Sequence, residues 1–171
     1  MPGIALPGVV GGMGSLQMFL DGKKSVVVLF WSETCSHCLR CDSYFNEFTE
    51  NHPELRLAAI AARQGETIAQ IRSAISERKL RFPILHDRDG KVAIKWYTQQ
   101  TPRVFLPDPA RRLLYRGAID NFRFAADPEY QPYLEPAIQA FLAGKPIERP
   151  EVASFCCAIQ SVYYLLPKAL S

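Results

Sequence analysis

Long apolar runs are missing from the 171-residue sequence, and none approaches the roughly 18 residues that a membrane-spanning helix needs. The beginning of the chain also lacks a basic segment followed by an apolar one, which is the pattern of a secretory signal. We therefore expect no membrane span and, for the chain as written, a cytoplasmic location. A periplasmic or other extracytoplasmic location is expected instead if a signal peptide has been removed.

The chain also lacks a large excess of positive or negative charge. The net charge is only +3, and Lys and Arg are scattered along the sequence rather than gathered on one face. This argues against nucleic acid as a partner. Hydrophobic residues make up 48 % and charged residues 22 % of the chain, which is typical of a globular protein with one core.

Cysteine is present in an unusual pattern. The five cysteines are odd in number and clustered, at Cys35, Cys38, Cys41, Cys156 and Cys157. This pattern does not fit the disulfide framework of a small secreted domain. We interpret some of these thiols as chemically active and the others as small hydrophobic side chains.

The chain is organised around the apolar run Ser25–Trp31, which shows no polar alternation. Such a run predicts a strand buried on both faces at the centre of a sheet. After it, apolar residues recur three and four positions apart, as on one side of a helix, at Cys38, Cys41, Phe45 and Phe48. The polar residues between them are expected to face away from the core, namely Arg40, Asp42, Ser43, Asn46 and Glu47.

Cys35 and Cys38 lie where this strand passes into the helix. Unpaired backbone N–H groups in the first turn, together with the helix dipole, would lower the pKa of Cys35 and make it a nucleophilic thiolate. Cys38, about one turn later, could close a disulfide with it. His37 between them would be a partial cation near neutral pH and would favour the thiolate further, which makes the couple more oxidising.

The rest of the chain predicts an α/β fold. Residues 55–62 indicate a second buried strand, joined to the first through the helix and therefore parallel to it. Thr67 and Gln70 fit a capping box, which predicts a helix over residues 67–79. Its inward stripe would be Ile68, Ile71, Ala74 and Ile75. Three later elements are a strand over residues 99–106, its hairpin partner over residues 113–117 and a helix over residues 132–143.

Both ends of the chain are less regular. Residues 1–15 carry several glycines and indicate a loose lead-in with a short edge strand over residues 4–10, before a helical turn near residues 16–20. Residues 146–171 begin polar and become strongly apolar, so they must pack on the domain or on a partner.

Three features together resemble the thioredoxin fold. They are Phe30-Trp31 ahead of the cysteines, the motif Cys35-Ser36-His37-Cys38, and Thr101-Pro102 at the start of a late strand that leads into a hairpin. The insertion before Thr101 resembles the redoxin group, which includes TlpA/ResA-like thiol-disulfide oxidoreductases and the related AhpC/TSA peroxiredoxins. The resemblance covers about residues 13–143.

This resemblance implies a thioredoxin-like three-layer sandwich, with a mixed central sheet flanked by helices and an insertion before the cis-proline strand. The redoxin domain would comprise residues 1–145, and residues 146–171 would be a C-terminal extension. The implied activity is thiol-disulfide exchange with protein substrates. A second redox protein would act as electron donor or acceptor, and no cofactor is implied.

The resemblance also implies roles for individual residues. Cys35 would attack and Cys38 would resolve, opposite a cis Pro102. The backbone of Thr101 would pair with a bound substrate segment. The expected tuning or substrate-binding residues are Ser36, His37, Trp31, Glu33, Thr101 and Pro102. In thioredoxins a buried acid occupies the position of Leu29, and Glu33 is the nearest candidate to replace that acid.

Two other functions fit parts of the sequence. A thiol peroxidase would have Cys35 as its peroxidatic cysteine and a hydroxyl three residues earlier, at Ser32, but Val28 stands where peroxiredoxins carry proline. A metal-binding or assembly module would use Cys35, Cys38 and a tail cysteine.

The remaining cysteines allow more than one interpretation. Cys41 completes a Cys-x-x-Cys-x-x-Cys pattern, yet no fourth ligand lies close by, so we interpret it as a packing residue and expect no metal site. Cys156 and Cys157 are adjacent and could bridge each other only with backbone strain. Packing of the tail, or a resolving role for one of them, is the better interpretation.

Overall fold

The computed structural model describes residues 3–10, 13–15, 20, 22–154 and 157–159. Its strands, in chain order, are β1 (Ala5–Pro7), β2 (Met13–Ser15), β3 (Ser25–Trp31), β4 (Leu55–Ala61), β5 (Ile84–His86), β6 (Gln100–Thr101), β7 (Arg103–Pro107), β8 (Leu113–Gly117) and β9 (Cys157–Ala158). Its helices are α1 (Ser36–Asn51), α2 (Ile68–Glu77), α3 (Lys91–Lys95) and α4 (Leu134–Leu142).

The central sheet has the strand order β5-β4-β3-β7-β8. Strands β3, β4 and β5 are parallel to one another, whereas β7 runs antiparallel to both β3 and β8. All seven residues of β3 are buried, as expected for a strand that is paired on both edges and covered on both faces. The mixed sheet and its central strand are therefore as the sequence predicts.

Helices cover both faces of this sheet. Helices α1, α2 and α4 pack against the face that carries Leu29 and Trp31. Helix α3 packs against the opposite face, where the ring of Phe30 lies 5.6 Å from that of Phe105 and 6.0 Å from that of Trp96. The three layers confirm the predicted α/β sandwich.

Helix α1 begins directly after Cys35, and its apolar stripe of Cys38, Cys41, Phe45 and Phe48 is buried as predicted. Asp42 is different, because the sequence predicts that it faces away from the core, yet it is only 5 % exposed. Its carboxylate accepts a hydrogen bond of 3.0 Å from the indole of Trp31 and lies 3.4 Å from the guanidinium of Arg78. These partners offset the cost of removing the carboxylate from water.

Helix α2 begins with the predicted capping box, in which Thr67 and Gln70 satisfy each other's backbone N–H groups. The helix ends at Glu77, two residues before its predicted limit. Ile68 was predicted to point inward, but it is 38 % exposed. The prediction fails because contact with the core begins one turn later, at Ile71.

The strand predicted over residues 99–106 is divided by Pro102 into β6 and β7. Proline has no N–H group to donate, so it interrupts a strand ladder. Strand β7 stays in the central sheet, whereas β6 pairs antiparallel with β9. The end of the chain is thereby brought to the strand that precedes Pro102.

The hairpin and the last helix follow the predicted order. Strand β8 has the predicted bounds and pairs antiparallel with β7. Helix α4 begins at Leu134, two residues after the predicted start, and ends one residue early. Leu134 and Ile138 are buried, while Phe141 and Leu142 are only partly buried.

The beginning of the chain lies along the edge strand of the central sheet. Strands β1 and β2 pair antiparallel, and the N–H of Val9 donates to the carbonyl of Ile84 at 2.9 Å. Gly8 also bridges to Leu85 in β5. The helical turn predicted near residues 16–20 lies, apart from Leu20, outside the described residues.

The described parts of the C-terminal extension contact the sheets of the same chain. Arg116 in β8 donates its N–H to the carbonyl of Pro150 at 2.9 Å and accepts the N–H of Val152 at 3.1 Å. Its guanidinium also lies 2.7 Å from the carboxylate of Glu151. The domain boundary at residue 145 stays a prediction, and residues 155–156 and 160–171 lie outside the described ranges.

Gly117 allows the extension to approach β8 closely, because a Cβ there would lie 2.5 Å from the carbonyl oxygen of Val152. We expect Gly117→Ala to lower the free energy of unfolding by about 1–3 kcal/mol, since the backbone at Val152 must move. Urea unfolding followed by circular dichroism measures this loss.

Gly65→Ala is the matched control. Gly65 also has a positive φ, of +84°, but nothing lies within 4 Å of the added Cβ. The variant therefore carries backbone strain without the clash. Equal losses of stability in the two variants would contradict the close approach of the extension.

Candidate functional site

Cys35 is the N-cap of helix α1, in the turn that follows β3. Its backbone is extended, with φ −84° and ψ 114°, and its carbonyl accepts the N–H of Leu39 at 3.0 Å. The first turn of the helix holds no acidic residue. The backbone N–H of Cys38 and the positive end of the helix dipole therefore favour a Cys35 thiolate, with no carboxylate of that turn to oppose them.

The Cys35 sulfur has neighbours on two other elements. Its Sγ lies 3.2 Å from the carbonyl oxygen of Thr101, and the Thr101–Pro102 peptide bond is cis. The thiols of Cys38 and Cys157 are close enough to the Cys35 sulfur to act on its pKa. All of these cysteines are free thiols. The site therefore brings together the start of α1, strand β6 and strand β9.

The pKa of Cys35 is lowered from 9.0 to about 4. The largest cause is the hydrogen bond from the Cys38 thiol, which stabilises the thiolate, and the Cys157 thiol contributes in the same direction. Burial acts against both, because it disfavours the charged form. The hydrogen bonds prevail, so Cys35 is a thiolate at neutral pH.

The pKa of Cys38 moves in the opposite direction. Burial raises it well above its usual value, and the hydrogen bond and negative charge of Cys35 raise it further. Cys38 is only 1 % exposed. The reduced pair therefore consists of one thiolate and one thiol, which are the two species that thiol-disulfide exchange requires.

Cys157 is the tail cysteine that the structure places at the site. It lies in β9 directly opposite Thr101, and its side chain is half-buried. Burial raises the pKa of its thiol, whereas the backbone N–H groups of Ser36 and His37 act in the opposite direction. Cys157 therefore remains a thiol that can donate to the Cys35 thiolate.

The other cysteines do not share this position. Cys41 is 4 % exposed and belongs to the core cluster with Phe45 and Phe48, which supports its interpretation as a packing residue. Cys156 lies outside the described residues.

The predicted tuning residues are distributed around the cysteine pair. Ser36 is exposed and His37 is half-buried, and their N–H groups face Cys157 rather than Cys35. The tuning role of the His37 side chain stays a prediction. Trp31 is buried, and its indole N–H donates a hydrogen bond to the carboxylate of Asp42.

Glu33, the predicted proton acceptor, is half-buried, and its backbone N–H donates to Glu66 at 2.7 Å. Glu66 is the more deeply buried acid, and its carboxylate also accepts the Ser32 hydroxyl at 2.5 Å. Burial raises the pKa of Glu66. The proximity of Glu66 to Ser32 is not evident from the sequence, because the two residues are more than thirty positions apart.

Asp42 is the second buried acid that the sequence pattern missed. Burial raises its pKa, while the hydrogen bond from Trp31 and the charge of Arg78 lower it, and the Cys35 thiolate acts to raise it. The spacing contains a signal, because Asp42 lies four residues after Cys38 and therefore on the same side of the helix. Arg78, which pairs with Asp42, comes from the end of α2.

Two further properties concern the described residues alone. They contain no group of three or more His, Cys, Asp or Glu side chains placed to hold a metal ion. Within the same ranges, no helix combines the length and apolar character needed to span a bilayer.

Solved structures of similar proteins support the fold. A hypothetical protein from Sinorhizobium meliloti superimposes with a TM-score of 0.82 at 26 % identity, over 92 % of this chain and 90 % of that one. A thioredoxin-like protein from Aeropyrum pernix superimposes with a TM-score of 0.57 at 18 % identity, over 67 % of this chain and 80 % of that one. The thioredoxin-like fold that the sequence predicts is confirmed.

Sequence comparison gives the family. The thiol-disulfide oxidoreductase ResA of Bacillus thuringiensis subsp. konkukian is 27 % identical over 85 residues, which are 50 % of this chain and 49 % of that protein. The chain thus spans about half the length of the curated relatives it matches. The AhpC/TSA family model matches residues 1–116, which include β3, α1, and strands β6 and β7 on either side of Pro102. The chain belongs to the AhpC/TSA family.

Proposed function

We propose that this protein is a thiol-disulfide oxidoreductase that exchanges disulfides with protein substrates through Cys35 and Cys38. One observation carries the proposal: Cys35, at the N-cap of the helix that carries Cys38, lies 3.2 Å from the carbonyl oxygen of Thr101, before the cis Pro102. The Cys38 thiol is also the largest cause of the low pKa of Cys35, about 4. The similarity to ResA supports the same activity. Protein thiols or disulfides would be the substrates, and a second redox protein would restore the starting state.

The exchange begins with the reduced pair. The Cys35 thiolate attacks one sulfur of a substrate disulfide, and the second substrate sulfur leaves as a thiolate that takes up a proton. Cys38 then loses its proton and attacks Cys35 Sγ, which releases the first substrate sulfur and closes the Cys35–Cys38 disulfide. Two electrons pass from the protein to the substrate, and the reverse sequence oxidises a substrate dithiol.

The low pKa of Cys35 favours the oxidising direction. Stabilising the Cys35 thiolate stabilises the reduced protein, and it also makes Cys35 a good leaving group when its disulfide is attacked. The first effect raises the reduction potential of the couple, and the second speeds attack by a substrate thiol on the Cys35–Cys38 disulfide. We therefore place the protein among oxidants of substrate dithiols rather than among strong reductants.

A thiol peroxidase is the second candidate function. The sequence resembles the AhpC/TSA peroxiredoxins, and a Cys35 with a low pKa is suited to attack on a peroxide. The structure offers one observation against it. The hydroxyl of Ser32, three residues before Cys35, is directed to the buried carboxylate of Glu66 at 2.5 Å. That hydroxyl is therefore occupied rather than available to a bound peroxide.

Replacing the cysteines tests the proposal. We expect Cys35→Ser to reduce disulfide exchange with a model protein substrate to the uncatalysed rate, because the attacking sulfur is lost. Cys38→Ser/Cys157→Ser removes both thiols that contact Cys35, so it should accumulate a mixed disulfide between Cys35 and the substrate. Non-reducing electrophoresis and peptide mapping detect the adduct.

Cys41→Ser is the matched control, and it should keep the wild-type rate because Cys41 is a core residue. Rapid consumption of hydrogen peroxide with sulfenate at Cys35, combined with no protein disulfide exchange, would favour the peroxidase instead.

The pH dependence of alkylation tests the Cys35 thiolate. Because only the thiolate reacts, the rate of Cys35 modification by iodoacetamide should be constant near neutral pH and fall as the pH drops through about 4. Mass spectrometry of the Cys35 peptide separates this reaction from that of the other thiols.

Two variants test what lowers the pKa of Cys35. Cys38→Ala removes the hydrogen-bond donor and should move the midpoint to higher pH, whereas Cys38→Ser keeps a donor and should move it less. A wild-type midpoint close to the ordinary value of 9.0 would contradict the stabilised thiolate.

A further inference from the structure

The tail strand β9 fills the hydrogen-bonding edge beside Cys35. It pairs antiparallel with β6, with Ala158 opposite Gln100 and Cys157 opposite Thr101. The N–H of Ile159 extends the ladder by donating to the carbonyl of Gln99 at 2.7 Å. A segment that adds to an edge in this way is held in one register by its backbone. The tail therefore presents one particular side chain to the site.

The register places a thiol opposite the residue that contacts the reactive sulfur. Thr101, the partner of Cys157, has its carbonyl oxygen 3.2 Å from Cys35 Sγ. A shift of one residue would turn the side chain at this position to the other face of the strand. The observed register instead places Cys157 beside Cys35, where each thiol acts on the pKa of the other.

An apolar contact anchors the strand in this register. Ile159 is 4 % exposed and belongs to the buried cluster that also contains Val28, Phe30 and Phe105. The backbone N–H groups of Ser36 and His37, at the start of α1, interact with the Cys157 sulfur from the other side. Cys157 is thus held by its neighbours on both sides.

We propose that Cys157 is a third redox-active thiol, which forms a disulfide with Cys35 within the same chain. The proposal rests on the proposed exchange function of Cys35 and extends it to the tail. Strand β9 occupies the place that a substrate segment would take, so Cys157 reacts there as an internal substrate.

The reaction needs no external oxidant once the Cys35–Cys38 disulfide exists. Cys157 loses its proton, and its thiolate attacks Cys35 Sγ. The Cys35–Cys157 bond forms, the Cys35–Cys38 bond breaks, and Cys38 leaves as a thiolate that takes up the proton. The number of disulfides is unchanged, because the step is an isomerisation.

The isomerisation moves the disulfide toward solvent. Cys35 and Cys38 are each 1 % exposed, so the Cys35–Cys38 disulfide is enclosed by the protein. Cys157 is half-buried and is the part of the site nearest to solvent among these three sulfurs. A thiol of a partner protein therefore meets the disulfide at Cys157 before it can reach Cys35.

Oxidation of a Cys38→Ser variant tests the proposal in the full-length chain. With glutathione disulfide at low protein concentration, the mixed disulfide between glutathione and Cys35 should be resolved by Cys157. We expect the product to be a monomer without glutathione, lighter than the reduced variant by two hydrogen atoms. Peptide mapping without reduction should identify the Cys35–Cys157 cross-link.

Two double variants identify the thiol. Cys38→Ser/Cys157→Ser should retain glutathione on Cys35, whereas Cys38→Ser/Cys156→Ser should still form the cross-link. Retention of glutathione on Cys35 in the single Cys38→Ser variant would overturn the role of Cys157 and leave the proposed function standing. Failure of Cys35 to react with glutathione disulfide in every variant would instead overturn the proposed function.

Loosening the anchor tests whether the strand pairing positions Cys157. In the Cys38→Ser background, Ile159→Ala should slow formation of the Cys35–Cys157 cross-link by roughly tenfold or more, because β9 loses its buried side chain. The initial reaction of Cys35 with glutathione disulfide should not be slower than in the parent. An unchanged cross-linking rate would show that β9 does not position Cys157.

Discussion

The hydrogen bond from the Cys38 thiol to the Cys35 thiolate is the interaction on which the site depends. It makes the two sulfurs chemically different, with the pKa of Cys35 lowered to about 4 and that of Cys38 raised. The two sulfurs lie close together because only residues 32–34 separate the end of β3 from Cys35, the N-cap of α1, and because Cys38 follows about one helical turn later. The buried central strand fixes both positions relative to the sheet.

A thiolate in a nearly closed site is destabilised by negative charges around it. The buried acid Asp42 interacts unfavourably with the Cys35 thiolate, but Trp31 and Arg78 offset part of its charge. Glu66 is buried on the other side of the turn, where it binds the Ser32 hydroxyl and the backbone of Glu33. Asp42 has a donor on each carboxylate oxygen, whereas Glu66 has two donors on Oε1 and a buried Oε2 with no partner among the described residues.

The sequence predicted those features that local patterns determine. The apolar run identified β3, the 3.6-residue period identified α1, and Thr67 with Gln70 identified the start of α2. Contacts between distant parts of the chain were missed. Asp42 was assigned to the surface because its partners, Trp31 and Arg78, come from other elements, and no periodicity in the tail indicated that β9 would pair with β6.

The structure on one side of the Cys35 sulfur is anchored by more of the core than the structure on the other side. On one side, β3 belongs to the central sheet, and both β3 and α1 contribute to the main core cluster. On the other side, β9 is a two-residue strand attached to an equally short β6. Detachment of that strand leaves the central sheet intact. Access to Cys35 can therefore change without any loss of the fold that holds it.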